Sequence, residues 1–193
     1  MAVRSYNQVA RAESTERTRR AVLDAAQGLF REERYDLPLD AVAERAGVST
    51  RTLLRHFGSR DGLFEEALAD AGARIAGARE AVPGDVAEAI RLLVDHYEEM
   101  GDEVVRLLAA AKRYPFAQRA VEQGERIHRE WVREIFAADL EGLARGERDQ
   151  RLALLATVTD VYVWRLLRRG HGLNRKATED SIRGLVEHAR ASG

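Results

Sequence analysis

There is no cysteine in the 193 residues, which removes disulfides, thiolate nucleophiles and zinc–thiolate centres together. Stability has to come from burial. Lysine is nearly missing too: of 31 basic residues only Lys112 and Lys176 are lysine, a bias that points to a GC-rich genome and not to a function. No run approaches the roughly 18 apolar residues that a membrane span needs. Met1 to Glu13 is polar, without the apolar centre of a signal peptide, so the expectation is a protein of the cytoplasm with no membrane partner. No alternating β-branched run, glycine-rich phosphate loop, internal repeat or low-complexity stretch stands out. The histidines, His56, His96, His128, His171 and His188, show no HExxH or other ligand spacing. No metal or other cofactor is therefore expected, and an enzyme would lack the nucleophile–base pair it needs.

What is present is a hydrophobic fraction of 45% beside 33% charge, the composition of a folded globular chain. The net charge of −1 conceals an asymmetry. Residues 1–60 hold 11 arginines against 8 carboxylates, a surplus of +3, while residues 61–193 hold 20 basic against 24 acidic groups, −4. The front of the chain is the part suited to a polyanion, although three charges alone are a weak signal.

Helical periodicity dominates, and the predicted fold is all-α. A first helix, from about Thr15 to Glu33, carries Val22, Ala25, Ala26, Leu29 and Phe30 on one face, with Ser14 or Thr15 as its cap. Pro38 opens a second helix with Leu39, Val42, Ala43 and Ala46 inward, and Gly47 ends it. Ser49 caps a short third helix with Leu53 and Phe57 inward, closing at Gly58. A fourth, capped by Ser59 and carrying Leu63, Phe64, Ala67 and Leu68, runs to about Ala78. Ala81-Val82-Pro83-Gly84 is a loop. Further helices are expected near 85–99, 102–113, 116–140, 149–169 and 178–191.

Helices two and three, joined at Ala46-Gly47-Val48-Ser49, have the spacing of a helix-turn-helix, whose second helix lies in the DNA major groove. A plain αα-corner has the same glycine turn, so the surrounding residues decide. With Leu53 and Phe57 inward, Thr50, Arg51, Leu54 and Arg55 face outward. Arg51 has the planar fork that matches O6 and N7 of guanine.

The run from Leu39 to Phe64, LDAVAERAGVSTRTLLRHFGSRDGLF, resembles the N-terminal signature of TetR-family transcription regulators, and the resemblance covers roughly residues 15–65. Val163 to Arg169, VWRLLRR, looks like a branch of the same family. The resemblance implies an N-terminal three-helix DNA-binding domain with its arm at residues 1–60. An effector-binding and dimerisation domain follows at 61–193. It implies a homodimer on double-stranded operator DNA, a small-molecule effector, and repression relieved by that effector. Thr50, Arg51 and Thr52 are then expected in the groove and His56 and Arg60 on phosphate, with Ser49, Leu54 and Arg55 completing the DNA-facing set. Three positions depart from the family pattern: Leu54 stands for a tyrosine, Arg34 for a glycine, and Leu37-Pro38 for the threonines that cap helix two.

Toward the C-terminus, Leu152, Leu154, Leu155, Val158, Val161, Val163, Trp164, Leu166 and Leu167 wrap most of one predicted helix. A helix apolar all round is buried on more than one side, in a monomer core or against a second copy. The stripe Ile182, Leu185, Val186 and Ala189 on the last helix is expected to complete such a seam. Phe116, Ala120, Gly124, Ile127, Trp131 and Ile135 share a face of the long helix, Gly124 admitting a close neighbour. The family places an effector pocket there, with Tyr97, His128, Trp131, Asp160 and Trp164 as polar candidates; each singly also fits a satisfied core residue. The rival reading is a helical module that uses its helix-turn-helix on a protein partner.

Overall fold

The computed structural model describes residues 2–32, 36, 38–78 and 81–191. Among them there are helices and no strand. The expectations for Glu33, Arg34 and Leu37 lie outside the described residues.

Helix α1 spans Ala2–Arg31, so it begins well before the expected start. Ser14 and Thr15 are interior positions, not caps: the Thr18 hydroxyl donates to the Ser14 carbonyl at 2.9 Å, one turn back. Nothing upstream breaks the helix, because Ala, Arg, Gln and Glu are all good helix formers and there is no Gly or Pro. Val22, Leu23, Ala25, Ala26, Leu29 and Phe30 are its buried stripe. Helix α2 is Leu39–Ala46 and Pro38 is its N-cap, extended at φ −69 and ψ 146, rather than its first residue. Gly47 closes it at φ 67, where only glycine sits without strain. Its N–H reaches Glu44 O (3.1 Å) while that of Val48 reaches Ala43 O (3.0 Å), the paired bonds of a Schellman end.

Helix α3 is Thr50–Phe57, capped as expected by Ser49, whose hydroxyl accepts from the Thr52 N–H at 3.2 Å. Helix α4, Arg60–Ala78, follows Gly58 at φ 74. The Ser59 hydroxyl accepts from Gly62 N–H at 3.0 Å. Val42, Ala43, Leu53, Phe57, Leu63, Phe64 and Ala67 join the α1 stripe in one core. A partly buried polar clamp ties α1 to α4: the Gln27 amide donates to Ala67 O (2.7 Å) and Asp70 Oδ2 (2.9 Å), and Arg20 pairs with Asp70 Oδ1 at 2.8 Å.

After the turn at Pro83-Gly84, α5 runs unbroken over Val86–Ala110, where two helices were expected. Gly101 does not interrupt it. A Cβ there would lie 2.4 Å from Trp164 Cζ3, so the glycine makes room for an indole. Helix α6 is Pro115–Ile135 and stops at Phe136 (φ −103), leaving α7, Ala137–Leu140, as a separate turn. Among the described residues no atom outside the helix's own backbone lies within 4 Å of a Cβ position at Gly124, so it does not admit the close neighbour that was expected. The helix expected at 149–169 is two: α8, Arg145–Val158, and α9, Val161–Arg165, the latter running into a π-helical turn over Leu166–Gly170. Asp160 starts α9 by accepting from Tyr162 N–H at 2.8 Å. Helix α10 is Arg175–Ala191.

A second core gathers α5, the end of α6, α8, α9 and α10 around Leu93, Trp131, Val132, Leu155, Trp164, Ile182 and Val186. The first core is sealed from the C-terminal side by Phe116 and Ala117, at the start of α6. No helix of the described residues is long and apolar enough to cross a membrane.

Candidate nucleic-acid interface

The amphipathic pattern of α3 decides what it offers. Leu53 and Phe57 are buried in the first core, while Arg51, Leu54 and Arg55 are exposed on the opposite side. Thr50 is half-buried because its hydroxyl donates to Asp40 Oδ1 of α2. That bond fixes the start of α3 against α2 and leaves Thr50 less free to reach a base edge than its position suggests. The Thr52 and Ser49 hydroxyls lie 3.0 Å apart, so the Ser49 side chain is engaged with its own helix. The cations that remain outward are Arg51 and Arg55, with Arg55 Nη2 3.4 Å from His56 Nε2.

The structure brings Ser49, Thr50, Arg51, Thr52, Leu54 and Arg55 onto one surface of α2 and α3, with His56 half-buried at its edge. Arg60 stands apart, at the start of α4. Its guanidinium carbon lies 4.9 Å from the centre of the Phe64 ring and 5.9 Å from that of Phe116. Its nitrogens face Asp36 at 3.6 Å and Asp61 at 3.9 Å. The support from Phe116 had no local sequence signal: an aromatic residue 56 positions later becomes a neighbour only through the packing of α6 on α4. Gln27, likewise, was readable only as a polar interruption of the α1 face.

The helix-turn-helix geometry agrees with the match of residues 22–67 to the family model for bacterial regulatory proteins of the tetR family. The match is confined to the N-terminal helices, α1 to the first turns of α4. The whole-chain fold is similar to those of three solved structures. One is a transcriptional regulator from Rhodococcus sp. Rha1 (TM-score 0.64, 20% identity, 91% of this chain and 95% of that one). The second is the flavonoid-responsive regulator FrrA (TM-score 0.58, 24% identity, 90% and 95%). The third is a TetR-family transcriptional regulator from Rhodococcus sp. (TM-score 0.59, 20% identity, 90% and 99%). None of the curated protein sequences matches.

The residues expected around an effector meet at the break between α8 and α9. The Tyr97 hydroxyl donates to Thr159 O at 3.0 Å, and His128 Nε2 lies 3.1 Å from Thr159 Oγ1. The His128 ring stacks on Trp131 with centroids 5.6 Å apart. Asp160 caps α9, and the Trp164 indole donates to Glu98 Oε1 at 2.9 Å. Tyr97, Asp160 and Trp164 thus each have a structural partner. Among the described residues the buried Trp131 Nε1 has no hydrogen-bond partner, which leaves a donor for an acceptor to meet. Beside them Arg168 forks onto Glu98 (2.6 and 2.7 Å). That fork, with the Trp164 bond, holds the Glu98 carboxyl below the usual glutamate range against the opposing effect of burial.

Proposed function

We propose that the chain is a homodimeric, cytoplasmic repressor that binds a palindromic operator through α3 and is released by a small molecule. The observation that carries the DNA-binding part is the α3 surface: a capped helix with its apolar side in the core and Arg51, Leu54 and Arg55 exposed on the other. In this reading Thr50, Arg51 and Thr52 lie in the groove with Arg51 reading guanine, Leu54 meets a thymine methyl, Arg55 reaches a base edge or the backbone, and His56 and Arg60 bind phosphate. Residues 1–60 form the DNA-binding unit and 61–193 the effector and dimerisation unit.

The dimer reading is supported by apolar side chains that the single chain leaves outside. Tyr162 is 53% exposed and Leu166 59%, and Leu154 and Leu185 are exposed as well, on α8, α9, the π turn and α10. Ile182, Val186 and Ala189 are already buried within the chain, so of the expected α10 stripe only Leu185 is available to a second copy. Two identical recognition helices require two related half-sites. The effector reading draws on the unpartnered Trp131 donor within the cluster of Tyr97, His128, Asp160 and Trp164, and on a structural neighbour that responds to flavonoids. Helix α4 belongs to both units, so a tilt of α4 changes the separation of the recognition helices and opposes ligand to operator.

Selection from a random DNA pool gives the operator. On it, Arg51→Ala is expected to relax specificity at particular base pairs at a cost of about 1–3 kcal/mol, and Arg60→Ala to weaken all sequences alike and shallow the salt dependence. A uniform loss from both substitutions overturns the division into base and phosphate contacts. A protein-interaction module would select no site from the pool.

A further inference from the structure

Of the two rings beneath Arg60, Phe64 and Phe116, the second is carried by α6. Phe30, Phe64 and Phe116 form a closed aromatic group, with centroids 5.1 Å apart for Phe30–Phe64 and Phe64–Phe116 and 6.2 Å for Phe30–Phe116. Phe64 and Phe116 are 0% and 1% exposed. The Arg60 guanidinium, by contrast, is partly open to solvent and lies over the Phe64 and Phe116 rings, within the roughly 6 Å at which a ring face attracts a cation. Arg119, one turn along α6 from Phe116, pairs with Glu65 of α4, so the start of α6 is fixed to α4 at two neighbouring places.

We propose that Phe116, carried by α6 of the C-terminal unit, is a positioning residue for the contact of Arg60 with DNA phosphate. The inference rests on reading Arg60 as a phosphate contact. The guanidinium is loosely paired with Asp36 at 3.6 Å and Asp61 at 3.9 Å, contacts long enough to be exchanged for a phosphate. The two rings hold the guanidinium carbon at 4.9 and 5.9 Å from their centres, which restricts the positions the cation can take before DNA arrives. Less ordering is then left for the moment of binding. Phosphate replaces the exposed Asp36 partner without disturbing the ring contacts. The contact strength of a DNA-facing cation thereby depends on a residue of α6, outside the helix-turn-helix.

The test is a double-mutant cycle of Phe116→Leu with Arg60→Ala, read as the salt dependence of binding to a mixed-sequence DNA duplex of roughly three helical turns and to the selected operator. Leucine keeps an apolar side chain in the core and removes the ring face; Phe116→Met is the second ring-free variant should leucine prevent folding. Circular dichroism establishes that each variant is helical before binding is measured. Each lost Arg60 contact is expected to shallow the log–log salt slope by about 0.9. Phe116→Leu is expected to weaken binding about three- to tenfold and to move the slope in the same direction as Arg60→Ala. In the Arg60→Ala background it is expected to change neither. An equal loss in both backgrounds, or a wild-type slope in folded Phe116→Leu or Phe116→Met, overturns the positioning role while leaving the phosphate contact standing. A wild-type slope for Arg60→Ala alone removes the phosphate contact, and the positioning role with it.

Discussion

Two glycines in helix interiors are expected to answer the same substitution with opposite signs. At Gly101 an added methyl would stand 2.4 Å from Trp164 Cζ3, 2.7 Å from Cη2 and 2.8 Å from Cε3, all far inside van der Waals contact. Trp164 cannot simply withdraw. It is 0% exposed, bonded to Glu98 and lies beneath the Arg169 guanidinium at 5.0 Å. Overpacking costs about 1–3 kcal/mol, and a strained Glu98 bond adds to that, since a hydrogen bond to a charged group contributes roughly 1.5–3 kcal/mol. Alanine returns about 1 kcal/mol of helix propensity, so Gly101→Ala should lose about 2 kcal/mol net. At Gly124 nothing lies within 4 Å and only the propensity gain remains, about 0.5–1 kcal/mol. For a chain of this size 1 kcal/mol moves Tm by roughly 2–4 °C. Gly101→Ala is thus expected to melt about 4–8 °C below wild type and Gly124→Ala about 1–4 °C above it. Far-UV circular dichroism at equal protein concentrations measures both, because association raises Tm. Near-UV dichroism should change only for Gly101→Ala, Trp164 being one of two tryptophans. A Gly101→Ala protein as stable as wild type would falsify the close approach of α5 and α9.

Ser49→Ala removes the hydroxyl acceptor for Thr52 N–H and leaves it the Ser49 carbonyl at 2.8 Å; it should cost about 1 kcal/mol of stability or less, with weaker operator binding because α3 loses its cap, and chemical denaturation and DNA titration check the two effects. Leu166→Glu places a charge on the exposed apolar strip and should shift the protein from dimer to monomer in light scattering, whereas a mass unchanged at low concentration argues against that strip as the seam. Glu98 is held below its ordinary value of 4.5 chiefly by Arg168, so its ionised form stabilises the fold above that pH and the contribution disappears as pH falls through the lower native value. The Tm of wild type should therefore drop more steeply below about pH 4.5 than that of Glu98→Gln, and parallel curves would remove Glu98 from the acid response.

The helix-turn-helix was legible because its boundaries are set locally. Ser49 and Ser59 carry their caps within three residues, and Gly47 and Gly58 take the positive φ that ends a helix. The burial of Leu53 and Phe57 and the exposure of Arg51 and Arg55 follow from periodicity alone. The C-terminal helices were less legible because tertiary contacts override local signals there. Gly101 looks like a break until Trp164 is known to need its space. Thr159-Asp160 carries neither Gly nor Pro, yet it divides α8 from α9: the Thr159 hydroxyl bonds Leu155 O at 2.6 Å, and Asp160 begins a new helix. The company that Arg60 keeps was unreadable for the same reason, since Phe116 reaches it only across the fold.

Helix α6 has its first residues, Phe116 and Ala117, in one core and its last, Trp131, Val132 and Ile135, in the other, while Glu122 to Arg126 between them are exposed. At 1.5 Å per residue, Phe116 and Trp131 stand about 22 Å apart along the axis. The exposed middle touches little, so its side chains are free to vary, but its length is not. One inserted residue would turn one anchor about 100° relative to the other and lift either the phenylalanine or the tryptophan out of its seat. Among descendants of this chain the stretch should drift rapidly in composition while keeping a constant residue count, unlike an ordinary surface loop, in which gaps accumulate alongside substitutions.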